Sequence, residues 1–200
     1  PGLTRPVCYD ALPRASVPLL GFAAHSGTGK TTLLKQLIPL LKLAGLRVGL
    51  IKHAHHTFEI DHPGKDSHEL RLAGASPVML SGAHRRAIIT EHARPLDPRL
   101  DEELRHLDPS AVDILLVEGF KHEAFPKIEL RRAALDQPPL YREDAHVIAL
   151  ATDVPPTPLP DLPCLDLNQP ASLADFIVRI FLPAARHALE QALATVAPHS

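Results

Sequence analysis

The chain of 200 residues lacks three features that would narrow its function at once. It has only two cysteines, Cys8 and Cys164, outside any paired spacing, so no zinc site or disulfide framework is indicated and a reducing cytoplasm is expected. The net charge of −2 gives no basic field for nucleic acid. No apolar run approaches the ~20 residues of a membrane helix, and the first residues lack the apolar segment of a signal peptide.

The sequence does contain short apolar segments that alternate with helical ones. Segments such as DILLV (113–117) and HVIALA (146–151) are typical of parallel strands that are buried on both faces. Apolar residues at helical spacing predict one helix over 30–44 and another over 173–193, which Pro183 interrupts. We therefore predict a three-layer α/β fold, with a mostly parallel sheet and helices on both faces. Because the segment AHSGTGKT (24–31) follows the Walker A pattern of a phosphate-binding loop, we expect this fold to be of the P-loop NTPase type.

The domain organisation follows from where the prolines cluster. Residues 1–17 are punctuated by proline and predict an extended N-terminal arm. Residues 18–182 form the predicted nucleotide-binding domain, and residues 183–200 a helical C-terminal extension. The proline-rich stretch 153–163 predicts a loop, and Gly82 lies between two short apolar segments that predict a hairpin.

The segment AHSGTGKT (24–31) matches the Walker A pattern of a P-loop, except that Ala24 stands where the strict form has glycine. Gly27 and Gly29 permit a backbone that turns successive N–H groups inward to form an anion-binding nest. Lys30 supplies a mobile positive charge for the terminal phosphates, and the Thr31 hydroxyl is placed to bind Mg²⁺. The alternative is a flexible Gly-rich turn, which does not require a Lys-Thr pair at the start of a helix.

A carboxylate is expected to complete the metal site, and two candidates flank the strand DILLV. Only the carboxyl end of a parallel strand can face the P-loop, so we predict Glu118 rather than Asp113 for this role. An exposed carboxylate after a strand is the alternative for Glu118. Asp61 and Asp66 come after the second predicted strand, RVGLI (47–51), and either could reach Mg²⁺ through water. Equally, Asp66 could only offset the dipole of its own helix.

The loop KHAHH (52–56) follows the second predicted strand and so belongs to the same edge of the sheet. It could be a polar loop at the active edge, a metal-binding cluster together with Asp61 and His62, or a plain solvated loop. Its spacing fits no standard zinc pattern, which favours the first reading over the second.

These residues resemble the molybdopterin-guanine dinucleotide biosynthesis adaptor family, MobB, over roughly residues 18–182. The segments that carry the resemblance are FAAHSGTGKTTLLKQLIP, GLIKHAHHTFEIDHPGKDSHELRLAGA, DILLVEGFKHEAFPKIEL and HVIALATDVP. The most specific parts are KHAHH with PGKDS and, later, VEGFKHE, because a generic P-loop protein has no need to share them.

The resemblance implies a cytoplasmic, usually homodimeric protein that binds GTP with Mg²⁺ and hydrolyses it weakly. Its implied partners are the guanylyltransferase that attaches GMP to molybdopterin and other molybdenum cofactor proteins, with no nucleic acid and no membrane. Lys52, His53 and Lys121 would line the neighbouring edge with Asp66. Carried over by position, the phosphate-binding residues are Ser26, Gly27, Thr28, Gly29, Lys30, Thr31 and Thr32, and the magnesium-binding residues are Thr31, Glu118 and Asp66.

The sequence itself does not indicate a preference for guanine. The usual Asn-Lys-x-Asp element is absent, since Asn168 is the only asparagine. Asp153, which follows the last predicted strand, could accept hydrogen bonds from the two guanine N–H groups that adenine lacks. Alternatively, Asp153 could simply start a proline-rich turn.

Two other functions remain open, and no residue is assigned a catalytic role. The first is a small-molecule kinase or ATP-dependent ligase on the same scaffold, with Arg131, Arg132 and Arg142 as a phosphate-closing lid. The alternative, that these arginines are solvated residues of a surface strand, is favoured, because exposed arginines are common. The second is a metal-handling protein that uses the histidine loop. Weak hydrolysis fits the absence of a glutamine near a predicted strand end and of an arginine placed by a motif.

Overall fold

The structure is a computed structural model that describes residues 2–196. The chain divides into two compact units: the larger contains the described residues up to His53 and from Arg99 onward, and the smaller is Ala54–Pro98. The strands are β1 (Leu19–Ala24), β2 (Val48–Lys52), β3 (Val78–Ser81), β4 (Arg86–Ile89), β5 (Ile114–Glu118), β6 (Lys127–Arg131), β7 (Val147–Thr152) and β8 (Cys164–Asp166). The α-helices are α1 (Lys30–Leu43), α2 (Asp66–Leu72), α3 (Leu100–Glu103), α4 (Pro170–Phe176) and α5 (Leu182–Val196).

The larger unit is built on a six-stranded sheet in the order β2-β5-β1-β6-β7-β8, with every neighbouring pair parallel. Strands β5 and β7 are buried at every position, as their continuous apolar sequences predict. The α/β P-loop NTPase-like fold is thereby confirmed. Because β1 lies in the middle of the sheet, the loop that follows it emerges at the centre of the carboxyl edge.

Helix α1 directly follows that loop and packs against α4. Its buried residues Leu33, Leu34, Leu37 and Leu41 form the apolar stripe that the sequence predicts. Pro39 lies inside the helix, yet the helix continues to Leu43 and ends at a glycine with a positive φ.

The C-terminal helical segment differs from the prediction. Helical structure begins at Pro170 and is continuous to Val196, and a π-helical turn, Ile177–Phe181, precedes Pro183. Proline lacks an N–H group, and the wider turn before it shifts the hydrogen-bond register, so the helix proceeds where an interruption was expected. Leu182 and Leu189 of α5 belong to the main core. The predicted extension, 183–200, reaches beyond the described residues.

The N-terminal arm is irregular, as predicted, but it is packed onto the larger unit. Tyr9 and Leu12 are buried in the main core. The Tyr9 hydroxyl donates to the Leu19 carbonyl at 2.8 Å and accepts from the Leu19 N–H at 3.0 Å. The Arg5 guanidinium donates to three backbone carbonyls, those of Tyr141, Asp144 and Val147.

Strand β8 was missed by the sequence analysis, which predicted only a proline-rich loop before it. Its three residues pair with β7 through Leu150↔Cys164 and Thr152↔Asp166. A strand of three residues at a sheet edge is too short to show a period in the sequence, so only its pairing with β7 identifies it.

The smaller unit contains helix α2 and the antiparallel β3–β4 hairpin, which confirms the hairpin predicted around Gly82. Gly74 follows α2 with φ +111°, a conformation suited to glycine after a helix end. Arg71 of α2 donates to carboxylate oxygens of Glu59, Asp61 and Glu91. Across residues 2–196, no helix combines the length and the apolar character needed to cross a membrane.

Candidate nucleotide-binding site

The loop between β1 and α1 has the backbone that an anion-binding nest requires. Gly27 and Gly29 have φ of +82° and +93°, in the left-handed region that side chains disfavour. Gly29 is the N-terminal cap of α1, and its carbonyl accepts the first helical hydrogen bond, from Leu33 N–H at 3.0 Å. The N–H groups at the start of a helix have no carbonyl within the helix to bond, so Lys30, Thr31 and their neighbours present free donors at the positive end of the helix dipole.

Thr28 stabilises the conformation of this loop through contacts inside the loop itself. Its hydroxyl donates to the His25 carbonyl at 2.6 Å and its backbone N–H contacts the same oxygen at 3.3 Å. Thr28 is only 2% exposed, so its side chain is part of the loop's framework. The remaining predicted phosphate-binding residues, Ser26, Thr31 and Thr32, lie on the same loop and the first turn of α1.

Glu118 lies at the carboxyl end of β5, where the parallel-strand argument placed it. Its Oε1 is 3.6 Å from Lys30 Nζ and its Oε2 is 3.6 Å from Lys52 Nζ. The strand register explains this geometry, because Glu118 is paired with Phe22 of β1 and with Lys52 of β2. The carboxylate is only 10% exposed, so the two ammonium groups balance its charge where water is scarce.

His53 is fixed against the turn that follows β5. Its N–H donates to the Glu118 carbonyl at 2.9 Å, and its ring stacks on Phe120 with centroids 4.9 Å apart. Gly119 has φ +79°, and a Cβ there would lie 2.7 Å from His53 Cβ, so any larger residue would displace the histidine. The structure thus brings together Lys30, Lys52, His53 and Glu118 beside the phosphate loop.

Arg132 reaches the same loop from the end of β6. Its Nε–H donates to the Thr28 carbonyl at 2.8 Å. Its Nη1 lies 3.8 Å from Asp153 Oδ2, and Asp153 Oδ1 accepts the Ala133 N–H at 2.9 Å. Asp153, predicted to read guanine, is therefore next to the phosphate loop and is already engaged on both oxygens.

The other arginines of the predicted lid have different partners. Arg131 donates to Glu129 and to the Gln137 carbonyl, and Arg142 lies over the Tyr141 ring. Nothing in the local sequence distinguishes Arg132 from Arg131. The register of β6 on β1, which pairs Leu130 with Ala24, is what brings Arg132 to the loop, and that register was not predicted.

Asp66 belongs to the smaller unit, where it is the exposed first residue of α2. His55, His56 and His62 are exposed residues of the same unit. Throughout the described residues, no group of three or more His, Cys, Asp or Glu side chains is arranged to hold a metal ion. The histidine-loop reading therefore gains no support, and Asp66 as a magnesium ligand stays a prediction.

The donor set near the loop suits Mg²⁺, which prefers carboxylate and hydroxyl oxygens over nitrogen. Glu118 supplies a carboxylate and Thr31 a hydroxyl. Thr31 is exposed in the first turn of α1, so its hydroxyl is accessible to a ligand. A site with two protein oxygens relies on waters and phosphate oxygens for its other ligands, which is usual for Mg²⁺.

Comparison with known proteins points to one family. A family model described as "Molybdopterin guanine dinucleotide synthesis protein B" matches residues 19–153. A protein of Escherichia coli (strain K12) named "Molybdopterin-guanine dinucleotide biosynthesis adapter protein" is 49% identical over 168 residues, 82% of this chain and 94% of that protein. A protein of the same name from Haemophilus influenzae is 44% identical over 161 residues, 80% and 88% of the two chains.

The fold is similar to that of solved structures. A crystal structure of Bacillus subtilis MobB aligns with a TM-score of 0.59 and 26% identity, covering 80% of this chain and 96% of that chain. The match extends well beyond the phosphate loop, so it reflects the whole architecture and not a single shared motif.

Proposed function

The chain belongs to the molybdopterin guanine dinucleotide synthesis protein B family, and from that membership we propose that it is a GTP-binding adapter in the synthesis of molybdopterin guanine dinucleotide. The family supplies the adapter role. The nucleotide, the metal and the partners are our proposals, and they are supported by the chemistry of the site.

The phosphate loop is the observation that carries the proposal. The two left-handed glycines, Gly27 and Gly29, turn the loop at the N-terminus of α1, with Lys30 directly after them. Such a loop offers several N–H donors, a helix dipole and a mobile cation to one polyanion. A nucleoside triphosphate is the ligand that uses all three at once.

We assign the roles of the individual residues as follows. The N–H groups of residues 26–32 and the Lys30 ammonium bind the phosphates, while Thr31 and Glu118 hold Mg²⁺. Mg²⁺ would neutralise part of the charge on the terminal phosphates. Before a nucleotide binds, Lys30 and Lys52 keep the Glu118 carboxylate in place.

We also propose that this site hydrolyses GTP slowly. A fast GTPase positions its attacking water with a side chain such as glutamine and neutralises the transition state with an arginine. The partner protein or a second copy of the chain would supply what is missing. Hydrolysis measured with and without saturating guanylyltransferase checks this, and an unchanged rate would count against it.

The proposed partners are a molybdopterin guanylyltransferase and other molybdenum cofactor proteins, met in the cytoplasm, where Cys8 and Cys164 stay reduced thiols. We also propose a homodimer. The β3–β4 hairpin leaves Met79 and Ile88 more than half exposed, and burying them against a second copy would remove apolar surface from water.

The deciding experiment measures binding of GTP and ATP, each with Mg²⁺, to the wild type and to Lys30→Ala. Losing a charge-assisted phosphate contact should weaken GTP binding by about one to two orders of magnitude. Lys35→Ala is the matched control, because Lys35 is an exposed residue of the same helix. The proposal fails if the wild type does not bind GTP saturably, or if it binds ATP equally well.

A second measurement tests the adapter role itself. Tagged protein should retain the guanylyltransferase more strongly when GTP and Mg²⁺ are present than when they are absent. Lys30→Ala should abolish that difference. Equal retention under every nucleotide condition would show that the nucleotide does not control the interaction.

A further inference from the structure

We propose that Arg132 is a positioning residue that connects Asp153, the predicted base-reading residue, to the phosphate loop. Recognition of guanine and binding of the triphosphate are thereby coupled. This inference rests on the proposed function, in which the loop after β1 binds the phosphates of GTP, and on the prediction that Asp153 reads guanine. It assigns to Arg132 a role that neither the P-loop motif nor the family description contains.

The contacts of Arg132 span the two loops with one rigid group. Nε donates to Thr28 O at 2.8 Å, and Nη1 lies 3.8 Å from Asp153 Oδ2. Nη2 lies 3.5 Å from the position that a Cβ on Gly29 would occupy. The guanidinium is planar and its nitrogens keep fixed spacings, so the distance between Thr28 and Asp153 is set by Arg132 itself.

The bond to Thr28 matters because of peptide geometry. The Thr28 carbonyl and the Gly29 N–H belong to one planar trans peptide and point in opposite directions. When Arg132 holds the carbonyl, it also fixes the direction of the Gly29 N–H, one of the donors of the phosphate nest. Without that bond the peptide between Thr28 and Gly29 is freer to rotate, because glycine at one of its ends tolerates a wide range of φ, and the nest is less well preorganised.

The contact with Asp153 couples this peptide to the base. The other carboxylate oxygen of Asp153 accepts a hydrogen bond from the N–H of Ala133, the residue next to Arg132. A guanine base that hydrogen-bonds to Asp153 therefore changes the interaction of this carboxylate with Arg132, whose guanidinium orients the Gly29 N–H. Arg132 also offsets the charge of a carboxylate that would otherwise lie unpaired near the triphosphate.

A second contact fastens the same segment to the loop. His25 Nε2 and the Pro138 carbonyl lie 3.0 Å apart, so residues 132–138 meet the phosphate loop at both His25 and Thr28. Among the described residues, Arg132 Nη2 has no hydrogen-bond partner, although it lies beside Gly29. That nitrogen is the natural donor for a ligand atom that enters the nest.

Arginine is required for this role, because a lysine ammonium is a single nitrogen that cannot reach both loops. The test compares Arg132→Lys, Arg132→Ala, Asp153→Asn and the Arg132→Ala/Asp153→Asn double variant, by calorimetric titration with GTP, GDP and ATP in Mg²⁺. The control is Arg105→Ala, an exposed arginine of the larger unit.

Both Arg132 substitutions should weaken GTP binding by about tenfold, the loss typical of one charged hydrogen bond, and should lower the preference for GTP over ATP. The double variant should lose less affinity than the sum of the two single losses, because part of each loss comes from the one Arg132–Asp153 link that both changes break. Arg105→Ala should match the wild type.

Three results would overturn the inference: wild-type affinity and selectivity in Arg132→Ala, full rescue by Arg132→Lys, or strict additivity in the double variant. If Arg132→Ala lacks a cooperative thermal transition, Arg132→Lys and Asp153→Asn decide the question. A wild type that does not bind GTP refutes the proposed function first. A wild type that prefers GTP, with Arg132 variants that do so equally, refutes only this coupling.

Discussion

The two units of the chain stabilise short apolar strands in different ways. In the larger unit, all six residues of β7 are buried. In the smaller unit, β3 and β4 alternate between half-buried and exposed positions, and Met79 is 59% exposed. A strand inside a parallel sheet is covered on both faces, whereas a two-stranded hairpin cannot bury its own residues. The hydrophobic effect therefore stabilises the larger unit far more than the smaller one.

In the smaller unit, ion pairs provide stabilisation that a buried apolar core provides in the larger unit. Arg71 Nη2 lies 2.9 Å from Asp61 Oδ1 and 2.5 Å from Glu59 Oε2, and Nη1 lies 2.7 Å from Glu91 Oε1. The hydrogen bond that Arg71 donates to Asp61 lowers the pKa of Asp61 and raises the pKa of Arg71. One guanidinium thus ties α2 to the segment before it and to the end of the hairpin.

The largest effect is expected from the core of the larger unit. Leu116 lies at the middle of β5 and is fully buried, so Leu116→Ala should lower the free energy of unfolding by about 2–5 kcal/mol. Chemical denaturation measures this loss. Leu43→Ala, at a position 85% exposed, is the control and should change little. A small loss at Leu116 would show that the sheet is not the main source of stability.

A more local effect is expected from Arg71→Met in the smaller unit. The substitution leaves the Asp61 carboxylate, whose side chain is only 2% exposed, without its counter-ion. Hydrogen exchange should become faster in residues 54–98 and stay unchanged in β1, β5 and β7. Arg85→Met, at an exposed position of the same unit, should leave exchange as it is. Faster exchange throughout the sheet would contradict the comparison.

The smallest effect is expected from acid. The pKa of Asp61 in the folded protein lies below its ordinary value of 3.8, so its contribution to stability is complete above that value and is lost as the pH falls through the folded pKa. Protection of the smaller unit against exchange, corrected for the intrinsic pH dependence of amide exchange, should therefore fall below about pH 4, before that of the apolar core responds. Asp61→Asn should remove this dependence, and a pH profile identical to the wild type would refute it.

The parts of the site that follow from local rules were predictable. The phosphate loop is contiguous in sequence, and its glycines, Lys30 and Thr31 define it without any tertiary information. Glu118 was identified by one further rule, that parallel strands present their carboxyl ends at one edge. The same rule placed Lys52 at that edge, but its contact with Glu118 was not predicted, because it depends on the pairing of β2 with β5.

The parts that depend on register were not predictable. Arg132 and Thr28 are 104 residues apart, and only the pairing of β6 with β1 brings them together. Lys127 and Glu129, both buried in β6, likewise gave no signal, because charged residues in a strand ordinarily indicate an exposed face. Lys127 is satisfied by Asp144 at 2.8 Å, a partner on the connection to β7.

The docking of Arg5 has a consequence for how the chain folds during synthesis. Its three carbonyl partners lie 136 to 142 residues further along the chain. Arg5 leaves the ribosome well before these partners, so it cannot form the three hydrogen bonds until the segment 141–147 has also emerged. The docking of the arm is consequently a late event, because the start of β7 must be synthesised before Arg5 can bind there.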